Sequence, residues 1–144
     1  MLGIEYSKAF DAGREDLIDS MIEKRPTGYQ DLLERTIRVV SEHFVGDDDW
    51  SDCNLDPDRI KCIDWGHYQG TLFFVIGCTG YQPDEFYTAR VSYGSCSHCD
   101  AFQACDDGID RWDDEGNERP LNRDDCAGYV RLCLHLFQSL RPAQ

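Results

Sequence analysis

The chain has 144 residues, 28 Asp and Glu against 14 Lys and Arg, a formal charge of -14 and a hydrophobic fraction of 41%. A chain of this length buries roughly 68% of its unfolded surface, so a core forms without metal or disulfide support and wholesale disorder is excluded. The charge repels nucleic-acid phosphates and anionic lipid, arguing against direct nucleic-acid or membrane partners, and no local basic patch that would reverse the field is legible.

Within the first 25 residues, Glu5, Lys8, Asp11, Arg14, Glu15, Asp16, Asp19, Glu23, Lys24 and Arg25 leave no apolar stretch for a signal peptide or a membrane span, so an intracellular setting is expected. Thiols stay mostly reduced there, and the eight cysteines are expected as buried side chains or metal ligands rather than crosslinks.

Phe10, Leu17, Ile18, Met21 and Ile22 recur at helical spacing from Ser7 to Arg25, and Pro26 ends the pattern. Thr27 and Gln30 read as a capping box for a second helix, whose face is Leu33, Ile37, Val40 and Phe44. Gly46 to Asp58 is too acidic and turn-rich for regular structure and is expected as a surface loop. Ile60 to Trp65, Thr71 to Cys78 and Glu85 to Tyr93 read as three strands. Their separators are too short for a parallel crossover, so an antiparallel meander is expected. The run Leu72 to Ile76 suits a central strand covered on both faces, while Tyr87, Ala89, Val91 and Tyr93 share one side of the last strand. A short helix from Asp100, an acidic loop from Asp106 to Glu118 and a final helix capped by Asn122 follow. Cys126, Val130, Cys133, Phe137 and Leu140 form that helix's apolar face, expected against the sheet or the second helix. The fold class is α+β in a single domain spanning 1–144: a three-stranded meander packed with N-terminal helices and a C-terminal helix.

Cys96, His98 and Cys99, with Cys105 six residues on, are the densest group of soft ligands. Two cysteines two apart form the knuckle that zinc sites use, but a second pair is absent. Two readings stay open here: no cofactor, with idle thiols packed in a turn, or one structural zinc held by Cys96, Cys99, Cys105 and His98. Thiol redox chemistry is a third use of the Cys96/Cys99 pair, disfavoured by the antiparallel strands before it. Cys78, Cys126 and Cys133 read as core, because free cysteine packs as a small hydrophobe. His43, His67 and His135 have no partner assignable from sequence. No EF-hand loop, phosphate-cradling Gly loop or hydrolase motif is present, so catalysis is unsupported.

Charge is distributed unevenly. Asp47 to Asp58 holds six acids and Asp100 to Glu118 eight, half of all carboxylates, with Arg111 the sole basic residue among them. Interleaved with Trp50 and Trp112, such loops suit a basic surface, the indoles anchoring and the carboxylates steering. The expected partner-binding residues are Asp47, Asp48, Asp49, Trp50, Asp52, Asp106, Asp107, Asp110, Trp112, Asp113, Asp114 and Glu115.

Asp64-Trp65-Gly66-His67-Tyr68-Gln69-Gly70, leading into an apolar strand, and Tyr93-Gly94-Ser95-Cys96-Ser97-His98-Cys99-Asp100 resemble signatures of small bacteriophage and prophage proteins. The resemblance covers about the middle third of the chain. His98 replaces the Gly and His67 the Asp usual in those signatures. The resemblance implies a phage-type protein in the host cytoplasm rather than a chemistry. With the acidic loops, it leads to the expectation of a non-catalytic inhibitor of a host defence or nucleic-acid-handling protein, anti-CRISPR-like and a partial nucleic-acid mimic. The alternative is a zinc-stabilised or thiol-redox protein centred on Cys96 and Cys99.

Overall fold

The structure is a computed structural model that describes residues 4–44, 55–66, 70–78, 86–94, 100–109 and 112–142, Trp65 by its backbone alone. Helix α1 (Ile4–Glu23) buries Ala9, Phe10, Gly13, Leu17 and Met21, and α2 (Tyr29–His43) buries a face that includes Leu33, Ile37 and Val40. The two helices cross at Gly13. A Cβ there would lie 2.1 Å from Val39 Cγ1, so the missing side chain is what lets the backbones approach. His43, partnerless in the sequence reading, places Nε2 2.6 Å from Asp16 Oδ2 and ties the same two helices.

The expected capping box does not form. Gly28 occupies the N-cap of α2, and the Thr27 amide donates to Asp31 Oδ2 at 3.0 Å. The helix starts one residue later than the pattern indicates, which puts an ionised carboxylate, a better acceptor than Gln30, in the third position of the first turn.

Strands β1 (Leu55–Gly66), β2 (Gly70–Cys78) and β3 (Phe86–Tyr93) pair antiparallel in sequence order, as the short connections require. A fourth strand, β4 (Arg141–Pro142), adds to β3 through Tyr87↔Pro142 and Thr88↔Arg141. Two residues following a helix carry no alternation, so nothing in the pattern announces it. β1 also starts earlier than expected. Leu55 is fully buried opposite Cys78, and the register shifts before Ile60. That irregularity accommodates Asp56, Pro57 and Asp58, because a proline in a strand interior forfeits a ladder hydrogen bond except at such a break.

The helices cover one face of the sheet. Phe74, Ile76, Ala89 and Val91 join α1, α2 and the C-terminal helix in one core. Among the described residues no element packs on the other face of β2, where Phe73 and Val75 are only partly buried, so cover on both faces is not seen there. Along that face run the rows Ile63, Phe73, Arg90 and Lys61, Val75, Thr88, Arg141. Arg90 lies over the Phe73 ring, 5.6 Å from its centroid. Lys61, Arg90 and Arg141 thus form a local basic patch, with no carboxylate in either row. The sequence reading finds none because these residues meet only through strand pairing.

Helix α3 (Ala101–Asp107) is capped by Asp100, whose carboxylate accepts from the Gln103 amide at 3.1 Å. Before α4 (Ala127–Gln138), Asn122 and Asp125 cap one another: the Asp125 amide donates to Asn122 Oδ1 at 2.8 Å and the Asn122 amide to Asp125 Oδ2 at 3.0 Å. Asn122 therefore caps a turn and not the helix as expected: the N-cap of α4 is Cys126, without a side-chain cap bond, and the regular helix begins only at Ala127. The expected face of Cys126, Val130, Cys133, Phe137 and Leu140 is buried, with Cys133 Sγ 3.8 Å from the Leu32 carbonyl oxygen on α2. Among the described residues no helix is long and apolar enough to cross a membrane.

Candidate partner-binding surface

Of the expected partner-binding residues, Asp47, Asp48, Asp49, Trp50, Asp52 and Asp110 lie outside the described residues. Asp106 and Asp107 belong to α3 and not to a loop. Asp106 faces inward. The Tyr129 hydroxyl donates to its Oδ1 at 2.7 Å, and Arg25 Nε stands 3.5 Å from the same oxygen. This cluster joins the end of α1 to α3 and α4. Burial, then the bond to Asp106, pushes the Tyr129 hydroxyl well above the ordinary tyrosine range. Two Arg25 nitrogens are buried without a hydrogen-bond partner among the described residues, and the nearby carboxylates of Asp106 and Asp125 offset the charge. Asp107, by contrast, is exposed.

The segment from Trp112 to Glu118 is a shaped loop closed by a bridge between those two residues. Asp113 organises it. Its Oδ1 accepts from the amides of Glu115 and Asn117, each at 2.9 Å, and its own amide donates to the Asn117 carbonyl at 2.9 Å. Gly116 makes the return at φ 83, a left-handed conformation that a residue with a Cβ resists. Asp114 and Glu115 are left exposed, beside a Trp112 that is 61% exposed.

Ion pairs hold the loop's downstream end. Arg119 Nη1 lies 2.9 Å from Asp125 Oδ2, and Arg123 bridges Asp19, at 2.8 Å, and Glu15 on α1. The Asn122 amide, helped by Arg119, holds the Asp125 carboxyl below its usual range. Exposed Asp11, Glu15, Asp16 and Asp19 on α1 extend the acidic surface.

Cys96, His98 and Cys99 lie outside the described residues, as do Cys53 and His67. Cys105 sits on α3 against α4, where a Cβ on Gly128 would meet its Sγ at 3.2 Å, and burial raises its thiol pKa. Burial raises Cys126 as well and pushes Cys133 up to about 12, consistent with thiols that pack rather than react. Among the described residues no group of three or more His, Cys, Asp or Glu is gathered for a metal.

Sequence reasoning missed Tyr29, Tyr93, Tyr129 and Arg25 as partners of carboxylates. Tyr29 donates to Asp100 across 71 residues and Tyr129 to Asp106 across 23, separations at which no local pattern exists. The chain matches no family model, no curated protein and no solved structure.

Proposed function

We propose that the protein is a non-catalytic, inhibitor-type binding protein that occupies a basic surface on a host protein. The observation that carries this reading is the loop from Trp112 to Glu118, in which one aspartate fixes the backbone while an exposed indole and two exposed carboxylates face outward. An exposed tryptophan on an ordered loop supplies a large contact area at small entropic cost, and carboxylates around it steer a basic partner into register. The phage resemblance gives the partner its class, a host defence or nucleic-acid-handling protein whose phosphate-binding groove the acids would fill in the manner of an anti-CRISPR mimic.

The test is capture from host lysate by the wild-type protein, by an Asp114→Lys/Glu115→Lys variant, and by a Glu5→Lys/Glu42→Lys control with the same change of net charge. Capture should weaken as salt rises through a few tenths molar, about the range in which exposed charges are screened. It should be lost in the loop variant and kept in the control. Equal loss in both would show that net charge alone attracts the partner, and the docking loop would be discarded.

A further inference from the structure

A second feature lies where the ends of α2, β1, β3 and α3 converge. A cavity of about 280 Å³ is lined there by Tyr29, Tyr93 and Phe102, by Leu72, and by the carboxylates of Asp64 and Asp100. Its walls are aromatic and aliphatic, its polar atoms are phenolic or carboxylate, and no cationic side chain among the described residues lines it. The Tyr29 and Phe102 rings meet as a corner, 5.8 Å between centroids and inclined by 58°.

The polar groups are fixed. Tyr29 donates to Asp100 Oδ1 at 2.5 Å and accepts the Phe102 amide at 2.9 Å. Asp100 Oδ1 also takes the Gln103 amide and Oδ2 the Gly94 amide at 3.3 Å, so this carboxylate is fixed in position. Tyr93 donates to Asp64 Oδ1 at 2.5 Å, on an exposed stretch of β1. Both phenols therefore turn their protons to carboxylates, leaving two carboxylates beside the half-buried rings of Tyr93 and Phe102, with Tyr29 buried behind them.

We propose that this cavity binds an alkylammonium cation. A carboxylate alone attracts any cation, but an aromatic corner beside it favours a cation that is weakly hydrated and can lie against a ring, within about 6 Å of its centroid. The volume sits at about the lower end of the range for small-molecule sites, which suits one head group rather than a nucleotide or an extended cofactor. The head group has two sources, a free quaternary ammonium such as choline or a methylated lysine side chain of a protein partner. The site is independent of the loop from Trp112 to Glu118, so either reading can fail without the other.

The experiment is an NMR titration of the full chain, in roughly physiological salt to screen non-specific attraction. Choline, N-acetyl-lysine methylamide and its trimethylated form are the probes, with 3,3-dimethylbutanol as the neutral analogue of choline. At least one cation should shift the amides of Leu72, Tyr93 and Phe102 saturably, and the neutral analogue should not. The stronger of choline and the lysine derivatives identifies the source. Asp64→Asn, which keeps an acceptor for Tyr93 while removing the charge, should weaken binding by about tenfold, and Phe102→Leu should weaken it as well. Absence of saturable shifts up to about 50 mM, well beyond the weak end of useful affinity, would overturn the proposal. So would equal binding of the neutral analogue, or affinity unchanged in both variants. The comparison of choline with its analogue uses only the wild-type chain and stands even if a variant fails to fold.

Discussion

Asp113 separates shape from charge in the proposed docking loop. Its Oδ1 accepts two amide protons at 2.9 Å, and both bonds lie in exposed structure. Each such bond contributes about 0.5–1.5 kcal/mol net, so Asp113→Ala should shift the loop's local opening equilibrium by about 1–3 kcal/mol, or roughly five- to a hundredfold. Asp113→Asn keeps an acceptor oxygen at the same place and removes only the charge. Amide hydrogen exchange reads the geometry directly: protection at Glu115 and Asn117 should fall in the Ala variant and largely survive in the Asn variant, with the global melting temperature hardly changed in either. Capture of the basic partner should follow the same order, strongly reduced for Ala and mildly for Asn. If both variants lose capture equally while exchange differs, the carboxylate acts by charge and the loop's shape is irrelevant. If exchange at the two amides is unchanged in Asp113→Ala, the structural reasoning itself fails.

Gly13→Ala gains up to about 1 kcal/mol of helix propensity but places a methyl 2.1 Å from Val39 Cγ1, an overlap costing about 1–3 kcal/mol; denaturant unfolding should show net destabilisation, partly relieved by Val39→Ala in a double-mutant cycle, and a stabilised Gly13→Ala would refute the close crossing. Tyr93 donates to Asp64, which pushes its hydroxyl up to about 12 from 10.0, so its stabilising contribution is complete below pH 10 and is lost as pH rises toward 12. Melting temperature followed through this window should fall less steeply in Tyr93→Phe than in the wild type; parallel curves would exclude Tyr93 as a contributor. In native alkylation at mildly alkaline pH, exposed Cys62 should react before Cys105, and buried Cys126 and Cys133 only on unfolding, as peptide mass mapping would show. Early labelling of Cys133 would mean that α4 detaches from α2.

The elements that periodicity exposes were legible in the chain. α1, α2 and α4 bury the faces that their apolar spacing marks, and the three longer strands meet in the order that short turns dictate. The misses in the sheet share one cause, dependence on residues distant in sequence, whereas the failed capping box is a local competition that Asp31 wins over Gln30. β4 exists because α4 delivers Arg141 beside Thr88. The early start of β1 depends on Leu55 finding a buried place opposite Cys78, against the local signal of two acids and a proline. Function follows the same division. Acidic density between Asp100 and Glu118 is visible as composition, but composition cannot say that Asp106 turns inward to Tyr129, that Asp113 shapes its own loop, or that Asp114 and Glu115 remain outward.

Those placements change what net charge means for this molecule. A charge of -14 spread evenly would attract any basic surface in any orientation. Here the sheet face away from the helices carries Lys61, Arg90 and Arg141 without a carboxylate in their rows, while Asp11, Glu15, Asp16 and Asp19 are exposed on α1, a helix of the layer covering the opposite face. Arg123 anchors the segment after the acidic loop to that same helix through Glu15 and Asp19. The α1 carboxylates are themselves engaged, Asp11 by Arg14, Asp16 by His43, and Glu15 and Asp19 by Arg123, whereas Asp114 and Glu115 stand exposed on the shaped loop. Within the Debye length, about 8 Å at physiological salt, Lys61, Arg90 and Arg141 repel a basic partner while the exposed Asp114 and Glu115 attract it. Excess negative charge sets how fast such a partner arrives, and the fold decides which side it meets.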